Sequence, residues 1–341
     1  MNRVKPLVWA LIGASDIAAT RMVPAIRRVG DSIASVISAD KSHAETYAIR
    51  NGILRHHWDL QTALDDPAVD AVYISSRNDQ HYFQTLSSLA AGKHVLCEKP
   101  VATVLSDALE MQAAAEASGL VLAVNHHLPA AGTHRKIREM VTAGSIGKPL
   151  SINVRHSTLL PERLRSWRLS NSPGAGVVMD LSCHNASVVN PLLEGQVPLD
   201  VVASAVSHGP WGTSDIEDAC SSSIHYEGEV LVDFQDSFTM PFTPSYLRIN
   251  GEAGSILGHD VMTPEPLGTV VLSDSTGTRE VPVSDRRHTY DITLLRFHEA
   301  VQEGARPIVD GVDAANNLAI CLSILEAASS GKRQPVNHVR R

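Results

Sequence analysis

The stretch HVLCEKP, residues 94–100, indicates how the first half of this chain folds. Its first four residues form an apolar run of the length typical of a buried strand in a parallel sheet. Pro100 ends that strand, because proline has no N–H for the ladder of a central strand. Ligands of open α/β sheets bind at the carboxyl ends of the strands. Glu98 and Lys99 would lie at this edge, either beside a ligand or as a surface ion pair.

Apolar runs alternate with helical patterns on both sides of this stretch. Strands are predicted at residues 7–12, 33–37, 71–75 and 120–124, which gives the α/β pattern of a doubly wound Rossmann sheet. From about His126 several segments alternate polar and apolar residues, as antiparallel strands with one covered face do. We therefore predict a dinucleotide-binding Rossmann domain over 1–125. An α+β substrate-binding domain with a mostly antiparallel open sheet is predicted over 126–341.

The composition excludes several classes of protein. A chain of 341 residues with 43% hydrophobic residues is long enough for two cores. Its net charge of −8 argues against general nucleic-acid binding, which requires a concentrated basic face. No apolar run approaches a membrane span, and the four cysteines show no paired metal spacing. We expect a cytoplasmic protein with reduced thiols, no metal, and neither nucleic acid nor membrane as a partner.

Gly13 follows the first predicted strand and opens a turn into a helix. A strand, a glycine turn and a helix form the setting in which a dinucleotide pyrophosphate meets backbone N–H groups. Ser15 stands where the fingerprint has its second glycine, and Ala18 stands at the third position. A simple βα turn also uses glycine, so this motif alone is a weak signal.

The end of the second strand bears on cofactor choice. Rossmann domains that bind NAD place an acid about 20 residues after the first glycine, where it binds the ribose. Here Ser38 occupies that position, and Lys41 and His43 follow it. Cationic and neutral donors suit a 2′-phosphate, so NADP(H) is favoured. NAD(H) stays the alternative, because Asp40 would restore the acid after a shift of two residues.

Two groups of residues favour binding or proton transfer in the second half. Asp180 and His184 are spaced i, i+4 and would share one helix face. Histidine is suited to proton transfer near neutral pH, although a helix ion pair or a core histidine would show the same spacing. Trp167 and Arg168 suit a sugar, through a ring face and a bidentate donor, although Trp167 could equally pack at a domain interface. Cys183 has no second ligand pair, which argues against a metal.

The chain resembles the Gfo/Idh/MocA oxidoreductases over nearly its full length. The motifs that carry the resemblance are Gly13, Asn78 with His81, EKP at 98–100, GSIGKP at 144–149 and DLSCH at 180–184. A closer similarity, to members that reduce an anhydro-ketose, rests on GASDIA at 13–18, NHHL at 125–128, WRL at 167–169 and DVMT at 260–263. The chain departs from those members at Pro129-Ala130, where they have a basic residue and an amide, and at His43, where they have arginine.

The resemblance implies an NADP(H)-dependent reduction of a sugar ketone, with 1,5-anhydro-D-fructose reduced to 1,5-anhydro-D-mannitol. Lys99 would hydrogen-bond the carbonyl oxygen, His184 would donate the proton, and Asp180 would hold both histidine and substrate. The alternatives are an NAD(P)-dependent dehydrogenase of another sugar or a cyclitol, and a non-catalytic sensor that binds nucleotide. A monomer and a homodimer are both compatible with the sequence.

Two sets of residues summarise the expected site. The residues expected to bind the cofactor are Gly13, Ala14, Ser15, Asp16, Ile17, Ser38, Lys41, His43, Ser76, Asn78, His81, Glu98, Lys99 and Asn125. The residues expected to bind the substrate are His126, His127, Trp167, Arg168, Asp180 and His184. Asn78 and His81 could instead cap or pack, and one of His126 and His127 could pack while the other lines the cleft.

Overall fold

The computed structural model describes residues 5–209 and 216–340, which pack into two compact units. The first unit comprises Met1–His127 and Tyr290–Ala315, and the second comprises Leu128–Thr289 and Asn316–Arg341. The sequence placed a single boundary after residue 125, whereas residues 290–315 pack with the first unit. These residues belong to the first unit because Phe297 packs in its hydrophobic core, where the ring centroids of Phe297 and Trp9 are 5.1 Å apart.

The helices and strands are numbered in chain order. The helices are α1 (Val23–Arg28), α2 (Lys41–Asn51), α3 (Leu60–Leu64), α4 (His81–Ala90), α5 (Leu105–Ser118), α6 (Gly132–Thr142), α7 (Cys183–Val189), α8 (Thr289–Glu303) and α9 (Gly311–Ser330). The strands are β1 (Val8–Ile12), β2 (Ser32–Ile37), β3 (Arg55–His57), β4 (Ala71–Ile74), β5 (His94–Cys97), β6 (Leu122–Val124), β7 (Pro149–Ser157), β8 (Pro198–Val206), β9 (Ala219–Tyr226), β10 (Val230–Ser237), β11 (Tyr246–Gly251), β12 (Gly254–His259), β13 (Thr269–Asp274), β14 (Gly277–Val281) and β15 (Gln334–Pro335).

The first unit is built on a six-stranded parallel sheet. Its strand order is β3-β2-β1-β4-β5-β6, the doubly wound order, so the predicted Rossmann domain is confirmed. Leu11, Tyr73 and Leu96 are fully buried, as expected for strands covered on both faces. Strand β3 was not predicted, because Arg55–His57 is a three-residue strand of polar side chains.

The second unit contains a nine-stranded sheet with the order β14-β13-β12-β11-β7-β10-β9-β8-β15. All its neighbours are antiparallel except β7 and β10, which run parallel. Along β10, Val230, Val232 and Phe234 are buried, while Leu231 and Asp233 between them are exposed. This alternation confirms the prediction of a mostly antiparallel sheet with one covered face.

Two further observations concern helices and cysteines. Over residues 5–209 and 216–340, no helix is both long enough and apolar enough to cross a membrane. All four cysteines lie in this part of the chain, where they are buried and form no disulfide.

Candidate functional site

Backbone hydrogen bonds align the strand ends of the first unit. The N–H of Gly13 donates to the carbonyl of Ile37 at 3.0 Å, and the N–H of Glu98 donates to that of Ile74 at 2.8 Å. The N–H of Asn125 continues the row, donating to the carbonyl of Cys97 at 2.7 Å. The sequence-predicted residues brought to this carboxyl edge are Gly13, Ser38, Ser76, Glu98, Lys99 and Asn125. This is the edge at which doubly wound sheets bind dinucleotides.

The turn after β1 has a serine in place of its second glycine. The Ser15 hydroxyl accepts from the N–H of Ala18 at 3.1 Å and donates to the Ser75 hydroxyl at 2.8 Å. The Ser15 carbonyl accepts from the Tyr47 hydroxyl at 3.0 Å. Ser15 therefore closes the turn with its side chain, which explains how the turn forms without the full glycine fingerprint. Ala14, Asp16 and Ile17 complete the turn.

Gly13 is required by both backbone conformation and space. Its φ is +104°, and a Cβ would lie 2.7 Å from the Ser76 nitrogen. Gly30 is a matched control, since its φ is +92° but a Cβ there would meet nothing within 4 Å. We expect Gly30→Ala to lower the free energy of unfolding by about 1–3 kcal/mol through strain alone. Gly13→Ala should lower it further and weaken dinucleotide binding.

Thermal unfolding and fluorescence titration with NADPH measure the two effects. Equal destabilisation by Gly13→Ala and Gly30→Ala, with unchanged NADPH affinity, would contradict the role given to Gly13.

The end of β2 presents Ser38 and Lys41. The carboxylate of Asp40 accepts from the backbone N–H of His43 at 2.9 Å and so caps helix α2. The Ser38 hydroxyl lies 3.5 Å from Nδ1 of His43. Nζ of Lys41 lies 4.3 Å above the ring of Trp58, an exposed residue outside the set expected to bind the cofactor. Trp58 directly follows β3. Because that strand was not predicted, nothing in the sequence indicated Trp58 at this strand end.

Glu98 is buried and does not form a surface ion pair. Its Oε1 accepts from the Tyr73 hydroxyl at 2.5 Å and from Nδ2 of Asn125 at 2.6 Å. Burial raises the pKa of Glu98, and the hydrogen bonds from Tyr73 and Asn125 and the charge of Lys99 oppose that rise. Lys99 itself is half-buried. Glu98 therefore supports the strand end from within the core and leaves Lys99 at the edge.

His81 connects two neighbouring strand ends. Its ring is fully buried, with Nδ1 2.9 Å from the Pro100 carbonyl and Nε2 3.3 Å from the Ser76 carbonyl. Burial lowers the pKa of His81, and the hydrogen bonds to the Pro100 and Ser76 carbonyls oppose that fall. The geometry favours a tie between the two loops over direct cofactor contact by the ring. Asn78 is also buried, at the start of the short 3₁₀ turn Asn78–Gln80.

The two histidines after β6 differ in their surroundings. Burial lowers the pKa of His126 to about 3, and the charge of Lys99 adds to that effect. His126 is therefore neutral near pH 7. The ring of His127 stacks on Tyr290, with centroids 5.3 Å apart and planes inclined by 26°. Tyr290 lies 163 residues further along the chain, and no local motif indicated it.

Asp180 and His184 lie on one continuous segment of the second unit, but not on one regular helix. A π-helical turn, Val178–Ser182, contains Asp180 and precedes α7, which contains His184. The prediction of a single regular helix was therefore wrong, because a π turn closes over five residues instead of four.

The substrate-binding candidates of the second unit form a contiguous group. Nε of Arg168 donates to Oδ2 of Asp180 at 3.2 Å, and both side chains are largely shielded from solvent. The Arg168 guanidinium also lies 4.6 Å from the ring centroid of Trp167. The fold thus brings Trp167, Arg168 and Asp180 together, and their binding of a substrate stays a prediction. In the part of the chain that the structure describes, no group of three or more His, Cys, Asp or Glu is arranged for a metal ion.

Known proteins match this chain in both halves. The description "Oxidoreductase family, NAD-binding Rossmann fold" matches residues 7–126, and "GFO/IDH/MocA C-terminal domain" matches residues 134–257. The 1,5-anhydro-D-fructose reductase of Ensifer adhaerens is 38% identical over 97% of this chain and 98% of its own.

Solved structures share the fold. An aldose–aldose oxidoreductase from Caulobacter crescentus has a TM-score of 0.88 and 21% identity, covering 97% of this chain and 100% of its own. Levoglucosan dehydrogenase in complex with NADH has a TM-score of 0.87 and 20% identity, covering 98% and 100%.

The Rossmann sheet and the residues along its carboxyl edge define an NAD(P)-dependent oxidoreductase. The chain belongs to the Gfo/Idh/MocA family of oxidoreductases.

Proposed function

We propose that this enzyme uses NADPH to reduce the C2 ketone of a sugar, with 1,5-anhydro-D-fructose as substrate and 1,5-anhydro-D-mannitol as product. The observation that carries the proposal is the group formed by Trp167, Arg168 and Asp180. It combines an aromatic face, a guanidinium and a carboxylate on the segment that also contains His184. A ring face and charged hydrogen-bonding groups are what a polyhydroxylated ring requires. The similarity to the Ensifer adhaerens reductase supports the choice of sugar.

The residues at the edge of the first unit fit a dinucleotide. Gly13 provides the close turn, and Ser38 and Lys41 at the end of β2 would hold the adenosine ribose and its 2′-phosphate. When bound, the nicotinamide supplies the hydride that adds to the carbonyl carbon.

Lys99 and His184 have distinct roles in this reaction. As the C=O π bond breaks, its electron pair moves to the oxygen, and Lys99 stabilises the developing negative charge by donating a hydrogen bond. His184 gives its proton to that oxygen and leaves the reaction as a neutral imidazole. Asp180 holds a substrate hydroxyl, and Arg168 keeps the Asp180 carboxylate in place.

A panel of substrates tests the proposal. Ketoses including 1,5-anhydro-D-fructose, together with aldoses and cyclitols in the oxidative direction, should be assayed with each cofactor. The proposal requires the highest kcat/KM for 1,5-anhydro-D-fructose with NADPH. A higher value for another sugar or a cyclitol would transfer the function to a dehydrogenase of that compound. Tight cofactor binding without turnover of any member would favour a nucleotide sensor.

Ser38→Asp should shift cofactor preference toward NADH. The new carboxylate would repel a 2′-phosphate and accept hydrogen bonds from ribose hydroxyls. The measurement is the ratio of kcat/KM for NADPH to that for NADH, which should exceed one in the wild type and fall in Ser38→Asp. Asp40→Asn is the matched control, because Asp40 caps α2 and its replacement should leave the ratio unchanged. A wild-type preference for NADH that Asp40→Asn abolishes would identify Asp40 as the ribose acid instead.

A further inference from the structure

A buried carboxylate holds the chain on both sides of His184. Asp236 lies on β10 and is 1% exposed. Its Oδ2 accepts from the Ser182 hydroxyl at 2.5 Å, and its Oδ1 accepts from Nδ2 of Asn185 at 2.7 Å. Ser182 and Asn185 flank the Cys183-His184 pair in sequence. The position of His184 therefore depends on two hydrogen bonds to a single aspartate of the sheet.

The hydrogen-bonded chain continues to a second histidine. In the sheet, Asp236 on β10 is paired with His156 on β7. Nδ1 of His156 lies 3.2 Å from Oδ1 of Asn185. Because the amide nitrogen of Asn185 donates to Asp236, the amide oxygen faces His156, whose Nδ1 must then carry the hydrogen. The ring of His156 lies beside that of His184, with centroids 6.1 Å apart.

A second carboxylate holds the start of the same segment. Oε1 of Glu217 accepts from the backbone N–H of Val178 at 3.2 Å, where the π turn begins. The Asp236–Ser182 bond lies where that turn ends. π turns are rare and occur often at functional sites. Glu217 therefore holds the start of the π turn, and Asp236 holds its end, which directly precedes the Cys183-His184 pair.

We propose that Asp236 is a positioning residue for the proton transfer, acting on His184 through Asn185 and Ser182, with His156 fixed beside it. This inference rests on the proposed function, in which His184 donates the proton. Burial raises the pKa of Asp236 to about 7, against the hydrogen bonds from Ser182 and Asn185. Burial disfavours a charged carboxylate, so its presence here fits a role in orienting its two donors, Ser182 and Asn185.

Asp236→Asn tests the inference. An asparagine here presents an amide nitrogen to a donor, which forces Asn185 or Ser182 to reorient. We expect kcat for ketone reduction to fall on the order of 10- to 100-fold, because small misplacements of a catalytic group have effects of that size. The KM for the sugar and the affinity for NADPH should stay near the wild-type values.

The same substitution in the His184→Ala background separates positioning from general structural damage. If Asp236 acts through His184, Asp236→Asn causes no further loss of kcat once His184 is absent. A purely structural role would lower kcat equally in both backgrounds. Asn185→Ala removes the hydrogen bond between Asn185 and Asp236 by replacing its donor. It should lower kcat in the wild-type background and not in His184→Ala, which keeps the test valid if Asp236→Asn folds poorly.

Asp31→Asn provides the matched control. Asp31 is a buried aspartate of the first unit that accepts from Trp9 and His298. Its replacement should lower the melting temperature and leave kcat of the folded enzyme unchanged.

The possible outcomes test the proposed function and the role of Asp236 separately. A wild-type enzyme that turns over no sugar ketone overturns the proposed function. An active wild type whose kcat is unaffected by both Asp236→Asn and Asn185→Ala overturns this inference alone. Equal losses in the two backgrounds also overturn it.

Discussion

Lys99→Met should lower kcat for ketone reduction on the order of 100- to 1,000-fold, the loss typical of removing one donor from a developing oxyanion. Methionine keeps the aliphatic length of lysine and removes only the charged donor. The substitution should affect kcat more than KM, because the hydrogen bond strengthens as charge develops on the oxygen. Absorbance at the reduced nicotinamide band measures the rate, with sugar and NADPH each varied.

Lys136→Met is the matched control for this prediction. Lys136 is a lysine of helix α6 that pairs with Glu139 on the same helix. Its loss should leave kcat unchanged. A kcat for Lys99→Met within a few-fold of wild type would exclude Lys99 as the donor to the carbonyl oxygen.

The same variant should change how stability depends on pH. Burial raises the pKa of Glu98 in the folded state, so the folded chain binds more protons than the unfolded chain between the two pKa values. The free energy of unfolding therefore falls as pH rises through that window. Lys99→Met removes a charge that opposes the shift, so the fall should extend to higher pH. Adding Glu98→Gln should abolish the difference between Lys99→Met and wild type in thermal unfolding measured across pH.

His184→Ala should lower kcat on the order of 100- to 10,000-fold, the range usual for loss of general acid catalysis. The affinity for NADPH, measured by fluorescence titration, should stay unchanged, because the residues expected to bind the dinucleotide belong to the first unit and His184 to the second. The pH dependence of kcat should also lose the limb that reports the protonated donor.

The Lys99→Met/His184→Ala double variant tests whether both residues act on the same oxygen. Groups that act together in one transition state are non-additive, so the double variant should lose less than the product of the two single losses. Turnover by His184→Ala close to wild type would contradict its role as donor. His127 would then be the next candidate, because His126, with a pKa of about 3, is not an imidazolium acid near neutral pH.

The local order of the chain was predictable from sequence because its physical causes are local. The apolar run at 94–97 and the proline after it specify a buried strand and its end. Gly13 and the helical pattern after it specify a βα turn, and the alternation along residues 229–238 specifies a sheet with one covered face. These features depend on the period of hydrophobic residues and on the backbone limits of proline and glycine. The two-domain class followed from them, and the motifs carried the family resemblance.

The supporting residues were decided only by the tertiary structure. Tyr73 and Asn125 meet Glu98 because three strands of the parallel sheet place them side by side, although they are separated by 25 and 27 residues from it. Asp236 meets Asn185 across 51 residues, where the covering segment packs on the sheet. No sequence period predicts such contacts, since they depend on which strands pair and in which register.

Contacts between distant segments also explain the differences between prediction and structure. The π turn that contains Asp180 is held by Asp236 of β10 and by Glu217, which lies just before β9, whereas the local sequence alone indicates a regular helix. Residues 290–315 join the first unit because Phe297 fills its core beside Trp9. Local sequence patterns specified which elements form and which residue types carry the chemistry. Packing between distant segments decided which side chains support the candidate site residues. Burial and hydrogen bonding become specific only when the chain is folded.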